Sequence, residues 1–185
     1  MTTLLALDPG LDEVGYACFD LAGVTRPLAY ADLDARYLAS GTLREPLWEG
    51  QRLRPQVERM LGYIQGLGAV VPDLGQTLAL VERPATTAVY GYNRTKGATA
   101  RNMAGPMAKQ HFAAGALATS LAVLGAEVLT VAPVGKGKKA TLSLRDPAAL
   151  AAMLPRLTRT SEHCRAACAI AIRYLTDHRR RWVAA

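Results

Sequence analysis

The most constraining feature of this sequence is an apolar run near its beginning that ends in an acidic residue. Residues 4–7 are Leu-Leu-Ala-Leu, and Asp8 follows them directly before Pro9 and Gly10. A continuous apolar run that stops at a Pro-Gly turn is typical of a central strand buried on both faces. Functional side chains of open sheets gather where strands end, so Asp8 is a candidate site residue. The alternative is that Asp8 only opens the turn, by accepting hydrogen bonds from nearby backbone amides.

A second apolar segment ends in the same way. Residues 77–81 are Thr-Leu-Ala-Leu-Val, Glu82 follows them, and Pro84 comes two residues later. Glutamate is a poor turn former, and its charge is costly beside an apolar strand unless it is paired or bound to a metal. Two acids at two strand ends therefore predict one shared site that contains Asp8 and Glu82.

The size and charge of the chain narrow the classes of protein to which it can belong. With 185 residues, half of them hydrophobic, it is most simply a single domain over residues 1–185 with a sizeable core. Its 22 Lys and Arg residues outnumber the 15 acidic residues, which gives a formal net charge of +7. The basic residues are spread in clusters that suit a groove for a polyanion, although solubility alone would also account for them.

The cysteines and the hydropathy pattern indicate in which cellular compartment the protein is expected. Cys18, Cys164 and Cys168 are an odd number without framework spacing, which predicts buried thiols in a reducing, cytoplasmic setting. Cys164 and Cys168 could hold zinc together with His163, but a fourth ligand is not evident. No apolar stretch reaches the roughly 18 residues of a membrane span, and the first residues lack the pattern of a signal peptide.

Periodicity and turn residues predict an α/β chain. The strands are predicted at residues 4–8, 14–20, 36–43, 77–82 and 126–132. The helices are predicted at residues 48–67, 100–124 and 147–154, with a last helix capped by Ser161 and reaching about residue 178. Gly66 and Gly68 should end the first of these helices, and Gly105-Pro106 should break the second.

This order, with acids at the ends of the first and fourth strands, resembles the ribonuclease H-like fold and, more narrowly, the RuvC family of Holliday-junction resolvases. The resemblance covers nearly the whole chain. It is carried by residues 5–10 with Gly15-Tyr16, by residues 81–84, and by His163 with residues 167–172. It implies an α/β fold with a five-stranded mixed sheet flanked by helices, in a single nuclease domain.

The resemblance also implies a metal-dependent active site. Asp8, Glu82 and His163 would be its catalytic metal ligands, for two Mg²⁺ ions per site with Mn²⁺ as a substitute. The family's last helix usually supplies a further aspartate three residues after position 163, where this chain has Ala166. Either three ligands suffice, or Glu162 turns into the cleft as a fourth metal ligand, or the enzyme is weakened. His163 could instead be a plain polar residue in a helical first turn.

In RuvC-type enzymes, the regions after the second acid and after the fifth strand face the DNA junction. Their basic residues are candidate phosphate contacts in this chain: Arg94, Lys96, Arg101, Lys136, Lys138 and Lys139. The family has an aromatic residue that wedges among bases at the position of Ala85. Tyr90 or Tyr92 could take this DNA-binding role by stacking on bases, or could equally anchor their own loop.

The implied function is paired phosphodiester hydrolysis at four-way DNA junctions in recombination and repair. A homodimer would suit the two-fold symmetry of a junction, and branch-migration motor proteins could be partners. The helix over 100–124 could carry part of the dimer interface or could simply pack in the core. Two alternatives stay open: an impaired relative that binds branched nucleic acid without cutting it, which Ala85 and Ala166 favour, and another nuclease of the ribonuclease H-like fold.

Overall fold

A mixed five-stranded sheet forms the centre of the molecule. The computed structural model describes residues 1–44, 53–71, 73–83, 98–132, 144–158 and 160–177, without the side chains of 53–56 and 98–107. The strands are β1 (Thr3–Asp8), β2 (Glu13–Asp20), β3 (Tyr37–Arg44), β4 (Thr77–Glu82) and β5 (Glu127–Val131). They lie in the order β3-β2-β1-β4-β5, with β1 antiparallel to β2 and parallel to β4.

The helices cover both faces of this sheet. In the described residues they are α1 (Leu33–Arg36), α2 (Leu53–Val70), α3 (Ala98–Val123), α4 (Pro147–Met153) and α5 (Glu162–Leu175), with short 3-10 turns at Tyr30–Asp32 and Leu74–Gln76. Leu4 and Ala6 of β1 pack in the cluster that contains α5, whereas Leu5 and Leu7 pack in the cluster that contains α2 and α3. The predicted central strand, buried on both faces, is therefore confirmed.

Every strand begins and ends within one residue of its predicted position, whereas the short helix α1 was not predicted and two of the long helices differ from prediction. Helix α2 continues through Gly66 and Gly68 to Val70, so the prediction that these glycines end it is wrong. A Cβ at Gly66 would lie only 3.2 Å from the Leu43 side chain on β3. Gly66 therefore allows the helix to pack closely on the sheet, and this packing outweighs its low helix propensity.

The predicted break in the second long helix is also wrong. Helix α3 runs without interruption from Ala98 to Val123 and includes Gly105 and Pro106. A proline inside a helix removes one backbone hydrogen bond and crowds the preceding turn. The many alanines around it have the highest helix propensity of any residue, which favours a continuous helix.

Among the helices that the structure describes, none has both the length and the apolar character required to span a membrane.

Candidate active site

The three predicted site residues converge at one edge of the sheet. Leu7 of β1 pairs with Val81 of the parallel strand β4, so the next residues, Asp8 and Glu82, end neighbouring strands side by side. Alternate residues of a strand point to the same face. Asp8 therefore shares the face of Leu4 and Ala6, which carries α5. His163 lies in the first turn of α5 and meets Asp8 there.

Asp8 and His163 form a direct hydrogen bond. The Nδ1 atom of His163 lies 2.7 Å from Oδ2 of Asp8, and both side chains are largely buried. An ionised carboxylate can only accept hydrogen bonds, so the imidazole donates from Nδ1. This bond is the main cause that raises the pKa of His163 above 6.5, against the opposing effect of burial; the charges of Asp8, Glu13 and Glu162 raise it further.

Glu82 pairs with an arginine that the sequence pattern did not reveal. The Nη2 atom of Arg145 donates to Oε2 of Glu82 at 2.9 Å, and the two side chains are only 17% and 12% exposed. Burial raises the pKa of Glu82 above 4.5, and the charge of Asp8 raises it further, whereas Arg145 and His163 act in the opposite direction. Asp8, Glu82 and His163 are thus close enough to influence one another electrostatically.

A second carboxylate faces His163 from the start of β2. Oε1 of Glu13 lies 3.3 Å from Nε2 of His163, on the opposite side of the ring from Asp8. The other oxygen of Glu13 accepts a hydrogen bond from Nε of Arg44 at 2.8 Å. Glu13 and Arg44 are paired across β2 and β3 in the sheet register. Strand alternation could have suggested Glu13, because it shares its face of β2 with Ala17 and Phe19, which pack in the cluster that contains α5.

The position of His163 depends on how α5 begins. The hydroxyl of Ser161 caps the helix by accepting a hydrogen bond from the backbone N–H of Cys164 at 3.0 Å, as predicted. The Ser161 hydroxyl also contacts Thr42 on β3. Gly15 of β2 lies directly below this turn, and a Cβ there would clash with the carbonyl group of His163. The absence of a side chain at Gly15 thus allows the first turn of α5 to rest on the sheet.

The two alternatives for a further ligand occupy different environments. The side chain of Ala166, one turn after His163, is fully buried. Glu162 is exposed. Its charge is the smallest of the effects that raise the pKa of His163.

The donor types at this edge suit a hard divalent cation, because carboxylate oxygens and an imidazole are ligands that Mg²⁺ and Mn²⁺ accept. Asp8 is engaged by His163, however, and Glu82 by Arg145. In the described part of the chain, no three His, Cys, Asp or Glu side chains are already arranged to hold a metal ion. To bind here, a metal ion would therefore have to replace the Nδ1 proton of His163 at Asp8 and the Arg145 guanidinium at Glu82.

The cysteines near His163 are core residues. Cys164 and Cys168 are both buried, and the Cys164 thiol contacts the Ser40 hydroxyl at 3.4 Å. These two cysteines and His163, all of which the structure describes, are not arranged to hold a metal ion.

Most of the predicted DNA-binding residues lie outside the described residues. This applies to Tyr90, Tyr92, Arg94, Lys96, Lys136, Lys138 and Lys139. The backbone of Arg101 lies in α3. After the last of these lysines the described chain resumes at residue 144, and the next residue, Arg145, contacts Glu82.

Comparison with known proteins gives structural matches alone. The chain matches no protein-family model and no curated protein sequence. It is similar to the Thermus thermophilus RuvC structure, with a TM-score of 0.57 and 16% identity over 92% of this chain and 91% of that one. It is also similar to T. thermophilus RuvC in complex with a Holliday junction substrate, with a TM-score of 0.58 and 14% identity over 93% and 91% of the two chains. The fold is therefore ribonuclease H-like, as predicted.

Proposed function

We propose that this chain is a metal-dependent endonuclease that cleaves four-way DNA junctions. The proposal rests mainly on one observation: Asp8, Glu82 and His163 come from three distant segments and meet at one edge of the sheet. The ribonuclease H-like fold adds support, because one similar structure is a RuvC protein bound to a Holliday junction substrate.

Each of the three residues has a distinct part in the proposed chemistry. Asp8 and Glu82 would hold the cations through carboxylate oxygens, and His163 through a ring nitrogen. The bound ions would activate a water molecule and stabilise the leaving oxygen of the phosphodiester. Asp8 contacts His163 and ends the strand next to the one that Glu82 ends, so it would be the central carboxylate of the site. The Arg145 guanidinium beside Glu82 would add positive charge where a DNA phosphate approaches the ions.

The proposal includes a homodimer and a basic DNA-binding surface. Two copies of the chain would present one active site to each of two opposing strands of a junction. The net charge of +7 would favour binding to the phosphate backbone.

The test is a cleavage assay on a labelled four-way junction and a matched linear duplex, with Mg²⁺, with Mn²⁺ and with a chelator. We expect paired cuts near the crossover of the junction only when metal is present. Asp8→Asn should abolish cleavage while leaving junction binding intact, because it removes a charge from the metal site and no DNA contact. Asp12→Asn is a matched control, since Asp12 is exposed and pairs with Arg59 instead. Cleavage by Asp8→Asn at the rate of the unaltered protein would contradict the site.

A second candidate function is binding of branched DNA without cleavage. Ala166 favours it, because a buried methyl group at this position adds no ligand to the site. The same assay separates the two functions: tight junction binding, with no product in either metal, would favour the binding protein over the nuclease.

A further inference from the structure

Glu13 is the site residue to which neither the sequence motifs nor the proposed function gives a role. It begins β2 and, two residues before Gly15, faces the first turn of α5. Its carboxylate has two partners on two different elements. Oε2 accepts from Nε of Arg44 on β3 at 2.8 Å, and Oε1 lies 3.3 Å from Nε2 of His163 on α5.

The His163 ring is consequently held between two carboxylates. Nδ1 lies 2.7 Å from Asp8, and Nε2 lies 3.3 Å from Glu13. Rotation of the ring by half a turn would replace these polar contacts with carbon atoms facing two charged groups. The pair of acids therefore selects one orientation of the ring, with Nδ1 toward Asp8 and Nε2 toward Glu13.

Histidines that bind metals through one nitrogen generally donate the other N–H to a carboxylate or carbonyl, which fixes the ring orientation and increases its basicity. We propose that Glu13 is a positioning residue that holds Nε2–H of His163, so that Nδ1 is the nitrogen offered to a divalent cation beside Asp8. This inference rests on the proposed metal-dependent function and assigns to it a residue on β2. Glu13 would thus be a third acid at the site, after Asp8 and Glu82. It comes from β2, whereas Ala166 lies on α5.

Arg44 also pairs with this acid. Its Nε donates to Oε2 from the neighbouring strand β3, which leaves Oε1 facing His163, and the Arg44 side chain itself is 70% exposed. The neighbouring Asp12 is the natural comparison, because it carries the same charge but is 67% exposed and pairs with Arg59. A general effect of negative charge near the site would change in variants of either residue. An effect on the ring orientation is expected only in variants of Glu13.

The test uses two measurements on the full chain without DNA. The first is Mn²⁺ binding by calorimetry, for which Glu13→Gln should weaken affinity by about 10–100-fold and Asp12→Asn should leave it unchanged. Glu13→Asp, which keeps the charge on a shorter side chain, should recover part of the loss. The second is the pair of ring N–H signals of His163 by NMR in metal-free protein near pH 6, where the imidazole carries both protons. Glu13→Ala, which leaves no acceptor at this position whereas the amide oxygen of Gln could still accept, should lose the protected Nε2–H signal and keep that of Nδ1.

Each outcome has a separate meaning. An Nε2–H signal that survives unchanged in Glu13→Ala would overturn the proposal whatever the metal affinity, as would an equal loss of Mn²⁺ affinity in Asp12→Asn. If the unaltered protein binds no Mn²⁺, the metal-dependent function fails, and the N–H signals of Glu13→Ala alone decide whether Glu13 positions the ring. Loss of the Nε2–H signal in that case would support the positioning role without the metal.

Discussion

At the scale of single residues, Ala166 provides a direct probe of the site. Its side chain is fully buried one turn after His163, on the helix that faces Asp8. In Ala166→Asp, a carboxylate would be buried without a partner, so we expect the metal-free protein to lose at least about 1–3 kcal/mol of stability. A bound divalent cation would compensate this charge. Mg²⁺ should therefore raise the melting temperature of Ala166→Asp more than that of the unaltered protein.

The control for this experiment is Ala166→Asn, which adds nearly the same volume without the charge. Differential scanning fluorimetry of both variants, with Mg²⁺ and with a chelator, separates crowding from electrostatics. Equal melting temperatures for the two variants, unaffected by Mg²⁺, would mean that position 166 does not face the metal site.

The ion pair of Asp8 and His163 predicts how the stability of the metal-free protein depends on pH. Asp8 raises the pKa of His163 above 6.5, so the folded state binds the imidazole proton more tightly than the unfolded chain does. The resulting stabilisation is fully present below pH 6.5 and is lost as the pH rises through the pKa of folded His163. Urea denaturation in a chelator should show this decline in the unaltered protein and a smaller one in His163→Gln. Substitution of the exposed His111 by Gln should leave the decline as it was; the same decline in His163→Gln would contradict the assignment.

The candidate site residues that the sequence suggested lie at the ends or beginnings of elements. Asp8 and Glu82 follow uninterrupted apolar runs, so local pattern located them, whereas His163, next to a helix cap, was suggested by the family resemblance. Glu13 and Arg145 were missed because their roles arise from contacts between distant segments. Glu13 depends on the register of β2 against β3, and Arg145 comes from a turn that reaches Glu82 across the fold.

At the scale of elements, the contact between β2 and α5 holds the site together. The backbone of Gly15 touches the first turn of α5, and a Cβ there would clash with the His163 carbonyl and lie 2.8 Å from the Cys164 nitrogen. In Gly15→Ala the helix must therefore shift away from the sheet. We expect a loss of about 1–3 kcal/mol in the free energy of unfolding, measured by urea denaturation, and weaker metal binding.

Gly68→Ala is the matched control for this change. Gly68 lies in α2, where a Cβ would meet nothing within 4 Å, so alanine should stabilise the protein through its higher helix propensity. A Gly15→Ala protein as stable as the unaltered one would show that α5 can move without cost. That result would contradict the close fit of helix and sheet on which the His163 position depends.

The elements themselves were easier to predict than their lengths. Turn residues and apolar periodicity located all five strands, because strands of a buried sheet carry a strong local signal. The ends of α2 and the continuity of α3 were mispredicted at glycines and a proline. At those positions, intrinsic propensity opposes the structure that the surrounding packing and the alanine-rich sequence produce.

At the scale of the whole molecule, the course of the described chain relates some of the basic residues to the candidate active site. Strand β5 ends beside β4, with Glu82 opposite Val131, and the backbone of Arg83 donates to the Val131 carbonyl at 2.8 Å. Fourteen residues after Val131, Arg145 contacts Glu82. Val131 and Arg145, described residues that precede and follow Lys136, Lys138 and Lys139 in the chain, therefore both lie at the same edge of the sheet as the candidate active site.

This connection predicts that the three lysines contact DNA phosphates next to the cut. Replacing all three with Gln should weaken junction binding and flatten its salt dependence by about 0.9 log units per lost phosphate contact. The measurement is the junction dissociation constant by fluorescence anisotropy over a range of salt concentrations, in a chelator to prevent cleavage. Arg26→Gln is the control, because Arg26 is exposed and follows β2, whose end at Asp20 pairs with Thr3 at the opposite edge of the sheet. An unchanged salt slope in the triple variant would mean that the DNA-binding groove lies elsewhere on the molecule.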